Sequence, residues 1–145
     1  MVALGGCHCG NVSYGLCWPV ESPGIPQRAC NCTYCVMTGA LWTGHPDASL
    51  EVSLTSLSAL RQYRFSTKTA DFNVCSSCGV LVFASAESPG HMLAVVNTRT
   101  LNSATTFLLP PVPIDLSKET LEERLERRSR VWIPRVMVSV VGLRG

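Results

Sequence analysis

A chain of 145 residues can bury a core of its own and fits one domain, residues 1–145. Apolar residues make up 46% of it and charged residues 15%, a balance that excludes intrinsic disorder, and a net charge of +2 is too small to point to nucleic acid as a partner. The longest apolar runs fall far short of the roughly 20 residues of a bilayer span, and the opening MVALGGCHCG has neither the basic nor the apolar region of a secretory signal. A cytoplasmic protein with no membrane partner is therefore expected.

In chain order, short β-rich runs separated by turn residues dominate the first hundred residues. Residues 11–17 alternate weakly after a Gly-rich turn, and residues 41–44, 49–54 and 60–65 read as further strands. Residues 80–84 and 92–96 are continuous apolar runs, the pattern of strands buried on both faces. Ser22 to Pro26 and Ser88 to Gly90 are turn signals, and Pro110-Pro-Val-Pro113 is expected to end the β region. Ser117 is placed to cap a helix running to about residue 128, with Glu119 in its first turn and Arg127 and Arg128 in its last. Glu123 with Arg127 and Glu126 with Arg130 stand at the i,i+4 spacing, Leu121, Leu125 and Trp132 would face the body, and residues 136–141 read as a closing strand. The C-terminal extension, residues 110–145, offers a strand and a helix through which a homodimer could form.

Cysteine is the outlier. Of the eight, seven fall in close groups: Cys7-His-Cys9, Cys30-Asn-Cys32-Thr-Tyr-Cys35 and Cys75-Ser-Ser-Cys78-Gly. Neighbours spaced this closely rarely form disulfides with each other, whereas they readily place two thiolates on one metal. Zinc takes tetrahedral thiolates at roughly 2.3 Å. Two pairs, Cys7 and Cys9 with Cys75 and Cys78, complete a closed structural site. Cys30, Cys32 and Cys35 then form a set one ligand short of a tetrahedron, the arrangement that leaves a corner for chemistry. The rival is a second structural site completed by Cys17, a residue otherwise expected as a small buried hydrophobe. Seven thiolates and two zinc ions bring the formal charge only from +2 to −1, since each thiolate subtracts one and each zinc adds two. Three thiolates over-neutralise one zinc. Such a centre activates water poorly but suits an incoming thiol, held as a nucleophilic thiolate that attacks an electrophilic carbon.

Taken together, Gly5-Gly-Cys-His-Cys-Gly10, Cys30 to Cys35 leading into Thr38-Gly-Ala40, and Cys75-Ser-Ser-Cys-Gly79 resemble the glutathione-dependent formaldehyde-activating family, to which centromere protein V belongs; the match in order and spacing runs over residues 5 to about 97. The resemblance implies a mainly β fold, the β-tent, built of short antiparallel strands, here with a C-terminal helix. It implies a structural zinc on Cys7, Cys9, Cys75 and Cys78, and a catalytic zinc on Cys30, Cys32 and Cys35. The implied activity is that of a carbon–sulfur lyase, typified by joining glutathione and formaldehyde into S-(hydroxymethyl)glutathione, with a small molecule as partner. Two positions depart from the family: Asn31 and Val36 stand where it commonly has His and Arg, and the loss of the Arg removes a partner for a carboxylate.

Around these groups, Trp42, Thr38, Gly39 and His45 are candidates to shape the open corner. His8 is expected to point away from the metal and His91 into solvent. The Arg-rich stretch from Arg124 to Arg135 alternates with glutamates and reads as a solvated helix face. Two further readings stay open: a lyase or dehydratase that uses the same zinc on a larger metabolite, and a zinc-stapled binding module without turnover.

Overall fold

The computed structural model describes residues 1–103 and 107–141. In chain order the strands are β1 (Val2–Gly6), β2 (Val12–Cys17), β3 (Ile25–Cys30), β4 (Trp42–Thr43), β5 (Ser49–Leu54), β6 (Leu60–Tyr63), β7 (Asp71–Cys75), β8 (Leu81–Ser88), β9 (His91–Asn97), β10 (Leu108–Ile114) and β11 (Arg135–Val140). Helix α1 (Thr33–Thr38) follows β3, and α2 (Leu121–Val131) lies between β10 and β11. The mainly β fold with a C-terminal helix agrees with the sequence reading. Every strand expected above is present within a few residues, while β1, β3, β7, β10 and α1 are additional.

Two sheets pack face to face. One has four strands in the order β1-β2-β5-β11, the other seven in the order β10-β3-β4-β9-β8-β7-β6. The space between them holds Trp18, Phe83, Leu16, Ile25, Leu50, Val52, Val82 and Val96, all almost fully buried. On the far face of the larger sheet a second cluster gathers Cys35, Trp42, Ala84, Leu93, Val95 and Trp132. This double cover explains the apolar runs of β8 and β9: in β9, Ala94 and Val96 point to the first cluster, Leu93 and Val95 to the second.

The expectation of antiparallel strands holds for most pairs, but β10 runs parallel to β3 and β11 parallel to β5. Nor does Pro110-Pro-Val-Pro113 end the sheet: it lies within β10, which occupies an edge. An edge strand needs only one row of backbone donors, so prolines are tolerated there. The helix also starts later than expected. Thr120, not Ser117, is the cap, in a reciprocal box with Glu123, and the signal was the T-x-x-E spacing. Glu119 therefore precedes the helix instead of lying in its first turn. Leu121 and Leu125 are exposed instead of facing the body, although Trp132 is buried as expected. Residues 142–145, part of the C-terminal extension, lie outside the described residues. Among the described residues no helix is long and apolar enough to cross a membrane.

Candidate metal centres and cavity

Cys7 directly follows β1 and Cys75 closes β7. The chain after β1 turns through Gly10, at φ 87°, and the chain after β7 through Gly79, at φ 78°. Both values are in the left-handed region, which glycine enters without strain. The turns aim backbone N–H groups at sulfur: Val12 donates to Cys7 Sγ at 3.3 Å and Cys78 to Cys75 Sγ at 3.5 Å. Asn11 Nδ2 donates to Ser77 Oγ at 3.1 Å and ties the two turns together. The result brings the four Sγ atoms of Cys7, Cys9, Cys75 and Cys78 within 4.8 Å of one another, with separations of 3.7 Å from Cys7 to Cys9 and 3.6 Å from Cys9 to Cys75. Sulfurs at 2.3 Å from one tetrahedral ion would stand about 3.8 Å apart, close to the separations of Cys9 from Cys7 and Cys75, so the quartet is compatible with zinc.

The second group is built where β3 meets α1. Cys30 ends the strand. Cys32 caps the helix, its Sγ accepting from the Cys35 amide at 3.4 Å, which brings Cys32 and Cys35 to the same side of the first turn. Gly39, at φ 71°, ends the helix, and Arg99 Nε donates to its carbonyl. The Sγ atoms of Cys30, Cys32 and Cys35 lie within 4.8 Å of one another. Trp42 Nε1 donates to Cys35 Sγ at 3.3 Å. The hydrogen bond from Cys35 pushes the Cys30 thiol down to about 5 against the effect of burial, helped by the Cys32 backbone and the Arg127 charge. The same contact, with burial, pushes Cys35 up against the pull of Trp42. Three thiolates at this spacing call for a cation among them.

The trio differs from the quartet in its surroundings. Cys30, Cys32 and Cys35 line a cavity of about 430 Å³ on the far face of the larger sheet. Its floor is apolar and aromatic: Trp42, Phe65, Phe72, Ala84, Val95 and Trp132. Strand alternation puts Arg28 on the same face as Cys30, and β3 pairs Arg28 with Trp42 of β4. The opposite wall is α2, which contributes Arg124, Arg127 and Arg128. This corrects the reading of that stretch as a solvated face. Arg128 is only 7% exposed, and its Cζ lies 5.0 Å from the centre of the Trp132 ring. Arg127 pairs with Glu119, at 2.7 Å, rather than with Glu123, and Arg124 reaches the same carboxylate at 3.2 Å; Glu126 with Arg130 forms as expected. A signal was present in the sequence: Arg124, Arg127, Arg128, Val131 and Trp132 fall at i, i+3, i+4, i+7 and i+8, one helical stripe.

The remaining candidates sort clearly. Cys17 is exposed at the end of β2 and belongs to neither group, so it is neither a buried hydrophobe nor a fourth ligand to the trio. His45 accepts at Nδ1 from the Asp47 amide and sets its ring edge-on to Trp18, away from the cavity. Thr38 donates to the Tyr34 and Cys35 carbonyls of its own helix, and neither it nor Gly39 lines the cavity. His8, Val36 and His91 are exposed.

A crystal structure of a Rhodobacter sphaeroides protein is similar to this chain at 25% identity, with a TM-score of 0.50, covering 70% of this chain and 90% of that one. No curated protein matches the chain as a relative. The sequence model described as glutathione-dependent formaldehyde-activating enzyme matches residues 2–113, a span that holds both cysteine groups and ends before α2. With these motifs and this coverage, the chain belongs to the glutathione-dependent formaldehyde-activating enzyme family.

Proposed function

We propose that the protein is a zinc-dependent carbon–sulfur lyase of the S-(hydroxymethyl)glutathione synthase kind, acting on a small electrophile and a glutathione-like thiol. In this reading Cys7, Cys9, Cys75 and Cys78 hold a structural zinc, and Cys30, Cys32 and Cys35 hold a catalytic one. The observation that carries it is the contrast between the groups: the trio opens on a cavity, and the quartet is absent from its lining. Eight free cysteines and thiol chemistry suit the reducing cytoplasm.

A zinc ion held by the trio would lower the pKa of an incoming thiol and keep it as a thiolate. The chain's own groups do the rest. Trp42 steadies Cys35 through its indole N–H. The floor of Phe72, Val95 and Trp132 keeps bulk water from the reacting carbon. In condensation the thiolate lone pair forms the carbon–sulfur bond, the carbonyl π pair moves to oxygen, and that oxygen takes up the proton the thiol released. Cleavage is the reverse.

Zinc analysis of variants tests the reading. Cys32→Ala should keep the fold, carry one zinc per chain instead of two and lose turnover of formaldehyde with glutathione. Cys78→Ala should fail to fold, because a structural zinc contributes on the order of 10 kcal/mol. A Cys78→Ala protein that folds with full metal, or a Cys32→Ala protein that still turns over, overturns the assignment. Wild-type protein with two zinc ions and no turnover would favour a binding module.

A further inference from the structure

We propose that the arginine wall of the cavity binds the carboxylate of an apolar-bodied organic acid, with Arg28 and Arg128 as its recognition residues. The proposal deepens the lyase reading and rests on it for the identity of the reacting end, the trio.

The charge balance of the cavity is the first argument. Arg28, Arg124, Arg127 and Arg128 all line it, while Glu119 alone answers Arg124 and Arg127 through ion pairs. A trio holding zinc would add one negative charge. Positive charge remains in excess, which calls for an anionic ligand, and the planar fork of a guanidinium suits a carboxylate. An uncompensated charge held among apolar groups is costly, so a ligand anion is the natural partner.

Unsatisfied donors are the second argument. Among the described residues, Arg28 has no ion pair and Arg128 has no carboxylate partner. Arg128 Nη1 donates to Thr69 Oγ1 at 2.8 Å and to the Thr69 carbonyl at 3.3 Å, which anchors the side chain. Its Nε is sealed off without a hydrogen-bond partner, and its Nη2, which is not sealed off, makes no hydrogen bond among the described residues and is the donor left for a ligand. The guanidinium is thus fixed by Thr69 and Trp132 with a donor to spare, the preorganised state that favours carboxylate binding. The aromatic floor shared by the arginines and the trio sets the rest of the ligand: an aryl or alkyl body. Val36 is exposed, so the carboxylate partner missing beside the cysteines is replaced by residues from β3 and from α2, the latter beyond the span shared with the family.

Trp42 and Trp132 line the cavity, so tryptophan fluorescence of the zinc-loaded protein reports occupancy. Titration with 3-phenylpropionate should saturate, and neutral 3-phenylpropionamide and phenyl phosphate should each bind about tenfold more weakly or worse. Arg28→Met and Arg128→Met should each weaken 3-phenylpropionate about tenfold and leave the amide unchanged. Should Arg128→Met fail to fold, Arg28→Met decides alone. Equal binding of acid and amide, tighter binding of the phosphate, or wild-type affinity in Arg28→Met overturns the proposal. Carboxylate binding without formaldehyde turnover would sink the lyase reading and leave this one standing; turnover without carboxylate selectivity would do the reverse.

Discussion

Trp42 touches sulfur through a single N–H, and that contact separates hydrogen bonding from packing at the trio. Trp42→Phe keeps an aromatic ring against Phe72, whose centroid lies 5.9 Å away, but removes the donor to Cys35 Sγ. Groups that hydrogen-bond to metal ligands typically account for 10- to 100-fold in affinity. Trp42→Phe should therefore release one zinc per chain about tenfold more readily to a competing chelator and hold the other as before. Loss of both, or of neither, would show that the indole serves only to fill space. At this scale the cysteines were legible in the sequence, because metal ligation ties residue type to spacing within a few positions. Arg28 was not: its place in the cavity depends on pairing with β4 and on a helix that arrives nearly a hundred residues later.

Helix α2 shows how an element can be recognised and its facing mistaken. The alternation of Arg and Glu between 119 and 130 fits a solvated face held by i,i+4 pairs, and Glu126 with Arg130 is such a pair. Glu119 breaks the pattern. Lying before the cap, it reaches forward along the helix to accept from Arg124 and Arg127, which line the cavity. Sequence spacing within a helix carries no information about a partner outside it, so this contact was not legible. The hydrogen bond and charge of Arg127, joined by Arg124, hold the Glu119 carboxyl below its usual range. A depressed folded pKa means stability present above the unfolded value near 4.3 and lost as pH falls through the folded one. Glu119→Gln should cost about 2 kcal/mol at neutral pH, since it leaves two partly buried arginines short of a partner. The difference from wild type should shrink below about pH 4. Denaturant unfolding at pH 7 and pH 3.5 measures both, and a difference independent of pH would place the effect in packing instead of charge.

Across the whole molecule, the two sheets were only partly legible. Alternation and apolar runs revealed most strands, but the parallel pairs of β10 with β3 and β11 with β5 join segments far apart in sequence, where local pattern has no say. The same long-range view separates the two metal groups by what each does for folding. In the quartet, Cys9 meets Cys75 across 66 residues, and Cys7, Cys75 and Cys78 pack against the main core. In the trio, the chain from Cys30 to Cys35 is a local turn. Closing the longer loop removes about 2 kcal/mol more unfolded-chain entropy than closing the shorter, on the logarithmic dependence of loop closure. The quartet also leaves four thiols clustered in one place if its ion goes, whereas the trio retains Trp42 and the sheet beneath it. Stepwise chelation should therefore separate the two. The first zinc released should abolish turnover while the far-UV circular dichroism stays native; the second should leave together with the fold, in one cooperative transition. Release of both ions in a single step, or loss of the β signal with the first, would mean that the two centres share one role.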